Sequence, residues 1–192
     1  MGKFTMIPEN AFKTMQMGAG VLMRDFKPDN ATVSAADIIG ATTGGFKFSA
    51  VPSFTDMGED VDNCPKNMAE LKRLDGWEIR MSGTFVSADI NAIAGLMAAA
   101  DVSGNKITPR QNLSADDFED LWWVGDYSDA NTGTNAGYIA IHMKRVLNVG
   151  GFQIQTSDGG KGKFAFDYLA HYSITEQDVV PVEVYVKVGT AA

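Results

Sequence analysis

The feature that most constrains this chain is a two-residue alternation over residues 163–174. Its even-numbered positions form an unbroken apolar or aromatic row: Phe164, Phe166, Tyr168, Ala170, Tyr172 and Ile174. Successive side chains of a strand point to opposite faces, so the pattern predicts a long β-strand with one face on a core. A second alternation after Pro181 predicts another strand of this kind. Its apolar row is Val182, Val184, Val186 and Val188.

Several other segments also predict strands. In the first half the clearest is 77–85, where Trp77, Ile79 and Met81 begin an apolar face. The remaining predicted strands are 12–17, 21–25, 46–51, 121–124, 137–146 and 152–156. The last of these forms a predicted hairpin with 163–174 across a glycine-rich turn. We therefore expect a mainly β protein, an antiparallel β-sandwich or barrel, in a single domain spanning 1–192.

One flanking α-helix is predicted at about 88–100. Its apolar residues follow the i, i+3, i+4, i+7 and i+8 spacing of an amphipathic helix: Ile90, Ile93, Ala94, Met97 and Ala98. Ser87 is the expected N-cap, and 103–105 the expected end of the segment.

Two segments lack clear periodicity: an amino-terminal arm at about 1–30 and a long loop at about 52–73. Within the loop, 68–74 is a candidate short helix. Loops of this length are uncommon inside compact domains and tend to be functional or to pack on a partner.

Charge and composition exclude several function classes. The 192 residues carry a formal charge of −8, and the pI is about 4.7. Such a chain does not hold nucleic acid by neutralising phosphates. Its single cysteine, Cys64, cannot form an intrachain disulfide. No apolar run reaches the ~20 residues of a membrane span, and the amino terminus lacks a signal-peptide pattern. These features predict a soluble protein made in the cytoplasm, with no membrane partner.

The residues that usually carry chemistry lack the expected spacing. His142 and His171 have no local metal-ligand pattern, and Cys64 has no base beside it. The acidic residues of 56–62 fail the EF-hand pattern, so a solvated loop is favoured over a Ca²⁺ site. The acidic residues of 116–120, next to two tryptophans, are a weaker candidate for glycoside hydrolysis. We therefore expect no enzyme activity, catalytic residue, cofactor or metal.

Two features favour an interface. Trp122 and Trp123 are adjacent, so in a strand one faces the core and the other looks outward or covers a neighbouring surface. Seven of the ten methionines lie in the first 68 residues, where they either fill gaps in the domain or pack on a partner. The candidate interface residues are Met6, Met15, Met17, Phe54, Met57, Glu59, Asp60, Lys66, Trp122 and Trp123.

Three runs carry a family resemblance: GGFKF at 44–48, GEDVDNCPKN at 58–67 and ELKR at 70–73. With the passage 77–100 and the ending 163–188, the chain resembles the major tail tube protein of long-tailed bacteriophages and prophages. The resemblance implies a β-sandwich or barrel with a flanking helix, assembled into six-fold rings that stack into a hollow tube. DNA would pass through the tube without specific binding, and the arm and the long loop would reach adjacent subunits or rings.

The same resemblance implies a place and partners. The protein would be made in the host bacterial cytoplasm and reside in the virion tail. Its partners would be other copies of itself and tail proteins such as the tape measure, terminator and distal tail proteins. The alternative from another class is a carbohydrate- or surface-binding β-sandwich, with Trp122 or Trp123 as a stacking platform. A capsid decoration protein and a secretion-system tube subunit are alternatives close to the tail tube interpretation.

Overall fold

The computed structural model of the protein describes residues 6–8, 10–128 and 135–190. The strands are β1 (Gln16–Met23), β2 (Thr42–Asp56), β3 (Lys72–Phe85), β4 (Ala100–Ser103), β5 (Lys106–Pro109), β6 (Glu119–Tyr127), β7 (Tyr138–Asn148), β8 (Gln153–Gln155), β9 (Lys163–Ala170) and β10 (Val182–Lys187). The helix is α1 (Ile90–Leu96), and short 3-10 helices cover Ala11–Thr14, Ala69–Leu71 and Ala115–Asp117.

Eight strands form one antiparallel sheet in the order β1-β6-β7-β9-β3-β2. β10 pairs with the first half of β7, β8 pairs with the start of β9, and β4 and β5 form a separate hairpin. The sheet curls on itself, because Phe46 of β2 meets Trp123 of β6 across the core at a ring-centroid distance of 6.4 Å. The expected mainly β, antiparallel sandwich or barrel with one helix is confirmed, and the barrel is not closed.

The main core lies inside the curled sheet. Its fully buried side chains include Leu22, Ile79, Met81, Phe85 and Met143. The predicted apolar face of 77–85 is therefore confirmed. A second cluster covers the other side of β6 and β7 and consists of Met23, Phe26, Trp122, Val124 and Ala140. Phe26 reaches it because the chain after β1 folds back, with Ile39 N–H donating to the carbonyl of Leu22 at 3.0 Å.

The helix is shorter than predicted. Asp89, not Ser87, caps it, and its carboxylate accepts a 2.7 Å hydrogen bond from Ala92 N–H. Ala98 adopts φ +65°, a left-handed conformation that ends the helix, and β4 begins two residues later. The turn at 103–105, expected to terminate the helix, instead joins β4 to β5.

The two segments without clear periodicity differ from the prediction in different ways. The long loop covers residues 57–71, because β2 continues to Asp56 and β3 begins at Lys72, which are Cα partners. The predicted helix at 68–74 is a single 3-10 turn, Ala69–Leu71, followed by strand. In the arm, the predicted strands 12–17 and 21–25 are replaced by the 3-10 turn Ala11–Thr14 and one strand, β1, which pairs with β6. The first five residues of the arm and most of the loop before β7 lie outside the described residues.

The two alternating segments of the carboxyl half behave differently. Phe166, Tyr168 and Ala170 are buried as predicted, but β9 ends there, and Ile174 is 86% exposed. In β10 the valine row was expected to face a core, and this holds only for Val182, which packs partly buried on the main core. The rest of the row is exposed: Val184, Val186 and Val188. The alternate residues face the molecule instead, because Glu183 pairs with Lys144, and Tyr185 packs on Trp122.

Candidate functional site: a protruding hairpin with exposed apolar side chains

The β2–β3 hairpin extends beyond the rest of the sheet. β9 pairs with β3 only along Arg80–Phe85, whereas β2 pairs with β3 from Phe85 to Lys72. Among the described residues, the first eight residues of β3 therefore have β2 as their only strand partner. At about 3.3 Å per residue this gives a two-stranded arm about 26 Å long. We call residues 51–78 the hairpin arm.

A bulge in the hairpin arm places two large apolar side chains together. Asp75 is the extra residue, so that Leu74 becomes the Cα partner of Phe54. Thr55 Oγ1 donates a 2.6 Å hydrogen bond to the Asp75 carboxylate, and Arg73 binds the same carboxylate at 2.8 Å. These two contacts lower the pKa of Asp75 and hold the bulge. Phe54 is 58% exposed and Leu74 is 48% exposed.

Asp56 organises the turn of the hairpin arm. Its carboxylate accepts hydrogen bonds from Gly58 N–H at 3.1 Å and Asn67 N–H at 3.0 Å, and Lys72 Nζ lies 3.4 Å away. The two backbone donors, more than the lysine, lower the pKa of this carboxyl. The loop is thus a defined structure. It presents Met57, Val61 and Met68 to solvent.

The interface residues predicted from the sequence fall into three groups: residues of the hairpin arm, methionines near β1, and the two tryptophans. Phe54, Met57, Glu59, Asp60 and Lys66 all lie exposed on the hairpin arm. Met6, Met15 and Met17 are exposed before or at the start of β1. The structure thus brings the first group together on one projection.

The two tryptophans, the third group, are not exposed as the other predicted interface residues are. Trp122 is buried in the second cluster, stacked on His142, and Trp123 is half-buried against the main core, where its indole N–H donates to the carbonyl of Ala19 at 3.0 Å. The two rings lie on opposite faces of β6, as expected, but neither looks outward, because Phe26 covers the face that carries Trp122. Trp122 consequently offers no exposed platform for a sugar ring.

Sequence reasoning missed the exposed apolar residues Val51, Leu74, Val184 and Val186. The exposure of Leu74 could not be predicted from the sequence, because the bulge at Asp75 decides on which face of the hairpin Leu74 lies. The valines of β10 were recognised as one row, but the alternation alone does not tell which row faces the molecule. The outer edge of β10 has no strand partner among the described residues.

The other candidate chemical groups have structural partners. Asp120 accepts from Arg145 N–H and contacts His142, while Asp117 binds Arg110 and caps the turn at Ser114. In the described part of the chain, no three His, Cys, Asp or Glu side chains are grouped so as to hold a metal ion, and the acidic residues of 56–62 form no such group. The helix of the described residues is too short to cross a bilayer. A scan of protein-family profiles and a search of curated protein sequences give no match to this chain.

Proposed function

We propose that this chain is a structural subunit that assembles with copies of itself into stacked six-fold rings, forming the tube of a phage tail. The proposal joins the family resemblance in the sequence to one observation: the hairpin arm projects from the sheet and carries exposed apolar side chains. An arm of this kind is positioned to pack on a neighbouring copy. The protein would act as a passive conduit, without catalysis.

Burial of the hairpin arm would supply a substantial driving force. Phe54 and Leu74 are each about half exposed in the single chain. Complete burial of a leucine or phenylalanine side chain contributes about 1.5–3 kcal/mol. Val51, Met57 and Val61 add exposed apolar area on the same arm. A neighbour that covers this arm would therefore gain several kcal/mol before the entropic cost of association.

Unpaired strand edges favour repeated association. β10, β2 and β1 each have one edge without a strand partner among the described residues. Such edges template pairing with another chain unless they are covered. When one edge of a copy meets a different surface of the next copy, the contact is head-to-tail, and it closes into a ring or grows into a filament.

The charge of the chain is consistent with a conduit. A net charge of −8 repels phosphates, so that DNA could pass without being held. The other proposed partners are the tape measure, terminator and distal tail proteins. The proposed location is the virion tail, after synthesis in the host bacterial cytoplasm.

Negative-stain electron microscopy of the concentrated protein tests the proposal. We expect rings or tubes whose abundance rises with protein concentration. Sedimentation velocity over the same concentration range would follow the transition from single chains to assemblies. A chain that remains monomeric at high concentration, alone and mixed with other tail components, would contradict the proposal.

A further inference from the structure

A cleft lies between α1 and the sheet, away from the hairpin arm. Its volume is about 480 Å³, within the range of about 300–1,000 Å³ typical of small-molecule sites. Leu121 and Val146 contribute apolar side chains to its lining, and Ala94, Gly95 and Ala98 provide a wall of small residues. The cleft is thus large enough, and partly apolar enough, to accept the stem of a small organic molecule.

Tyr168 supplies a nearly buried polar side chain to this cleft. Tyr168 lines the cleft and is only 6% exposed, yet its hydroxyl has no hydrogen-bond partner among the described residues. Burial raises the pKa of this hydroxyl, so it stays protonated and can both donate and accept a hydrogen bond. The hydroxyl oxygen is not itself fully enclosed, so a ligand in the cleft can reach it.

The charges of the lining favour a cation. Arg24 lies 3.5 Å from Glu119, and Arg110 binds Asp117, so that these two acids are balanced by arginines. Asp116 also lines the cleft, and it has no ion-pair or hydrogen-bond partner within the described chain. The lining holds one arginine and three acids, an excess of two negative charges. Arg110, which lies outside the lining and also binds Asp101, offsets the charge of Asp117. The exposed carboxylate of Asp116 has no such partner in the described chain.

We propose that this cleft binds a short aliphatic primary amine that carries a second hydrogen-bonding group. The ammonium would pair with Asp116 at the rim, the alkyl stem would pack against the small residues of the wall, and the second group would meet the Tyr168 hydroxyl. None of the residues that line the cleft lies on the hairpin arm.

Ligand-observed saturation-transfer NMR tests the site, because it works on single chains and on large assemblies. The probe is 5-aminopentan-1-ol. Pentane-1,5-diol, 5-hydroxypentanoate and pentylamine are controls of similar length that remove the charge, reverse it, or remove the second polar group. We expect the amino alcohol to bind most tightly and the anion not to bind.

Two variants locate the binding. Tyr168→Phe should weaken binding of 5-aminopentan-1-ol about fivefold, the value of one hydrogen bond, and leave pentylamine unchanged. Asp116→Asn should weaken both amines by up to about fivefold. Asp178→Asn, an exposed aspartate outside the cleft, is the matched control and should change neither.

The binding measurements on the unmodified protein and its variants either support or overturn the proposed site. Loss of the amino alcohol's advantage over pentylamine in Tyr168→Phe supports the site. Absence of binding by the unmodified protein, tighter binding of the anion, or equal affinities in both variants would overturn it. If circular dichroism shows that Tyr168→Phe is misfolded, the exposed position Asp116 still decides. Electron microscopy of the same samples reports assembly separately.

Discussion

The indole of Trp122 and the imidazole of His142 stack face to face, with ring centroids 4.0 Å apart and planes 4° from parallel. These residues are Cα partners on β6 and β7, and Glu183 of β10 is the next partner in the same row. Asp120 Oδ2 lies 3.0 Å from His142 Nε2, and Glu183 Oε2 lies 3.6 Å from His142 Nδ1. The row links three strands and holds the last strand of the chain to the body of the sheet.

We predict that Trp122→Ala destabilises the protein by about 3–5 kcal/mol, because it opens a cavity in the second cluster and removes the surface on which His142 and Tyr185 pack. Urea unfolding followed by fluorescence and circular dichroism measures the loss. Phe54→Ala is the matched aromatic control on the exposed hairpin arm and should change stability by less than about 0.5 kcal/mol. A loss in Trp122→Ala as small as that expected of Phe54→Ala would contradict the structural role of the second cluster.

Glu183 should make stability depend on acidity. Hydrogen bonds from Lys144 and then Tyr185 lower its pKa from 4.5 to about 2. A depressed carboxyl pKa stabilises the folded state above pH 4.5, and this contribution is lost as the pH falls from 4.5 towards 2. Because the side chain is 41% exposed, we expect a contribution of only about 1 kcal/mol.

Urea unfolding of the wild type and of Glu183→Gln at pH 6 and pH 3 measures this contribution. The difference in unfolding free energy between the two proteins should be largest at pH 6 and shrink at pH 3. Glu78→Gln removes one charge from an exposed side chain and serves as the control. A difference that is the same at both pH values would contradict the assigned role of Glu183.

The sequence was sufficient to predict the strands whose alternation reflects burial. In β3 and β9 the apolar row of the sequence lies on the face of the strand that the rest of the protein covers. The buried residues of these rows include Ile79, Met81, Phe166 and Tyr168. It was insufficient where both faces of a strand are chemically plausible. In β10 the polar row packs inward, because Lys144 of β7 binds Glu183 and Trp122 of β6 packs against Tyr185.

The hairpin arm was harder to predict for a different reason. Its strands pair through the backbone while both of their faces remain largely exposed. Because neither face is buried, the sequence shows no alternation of apolar and polar residues there. The register also shifts at Asp75, which moves Leu74 to the face of Phe54. Several of the residues proposed for the interface were found from sequence, but their common location required the fold.

We predict that Asp56→Ala loosens the turn of the hairpin arm, because it removes the acceptor for Gly58 and Asn67 N–H. Trypsin should then cut faster after Lys66, Lys72 or Arg73, as read by mass spectrometry of timed digests. Asp62→Ala changes an exposed acid of the same loop and should leave the rate close to that of the wild type. Equal rates in all three proteins would show that Asp56 does not order the turn.

The last prediction separates assembly from folding. Leu74→Asp places a charge opposite Phe54, on the face that we propose is covered by a neighbouring copy. Because Leu74 is 48% exposed in the single chain, its replacement should alter the unfolding free energy by less than about 1 kcal/mol, yet strongly reduce rings and tubes. Leu113→Asp introduces the same change at a 54% exposed leucine in a loop away from the hairpin arm, and should leave assembly intact. Sedimentation velocity and electron microscopy compare the two variants at equal concentration. Equal assembly by both would remove the hairpin arm from the interface, whereas a selective loss in Leu74→Asp would locate the contact at the Phe54–Leu74 pair.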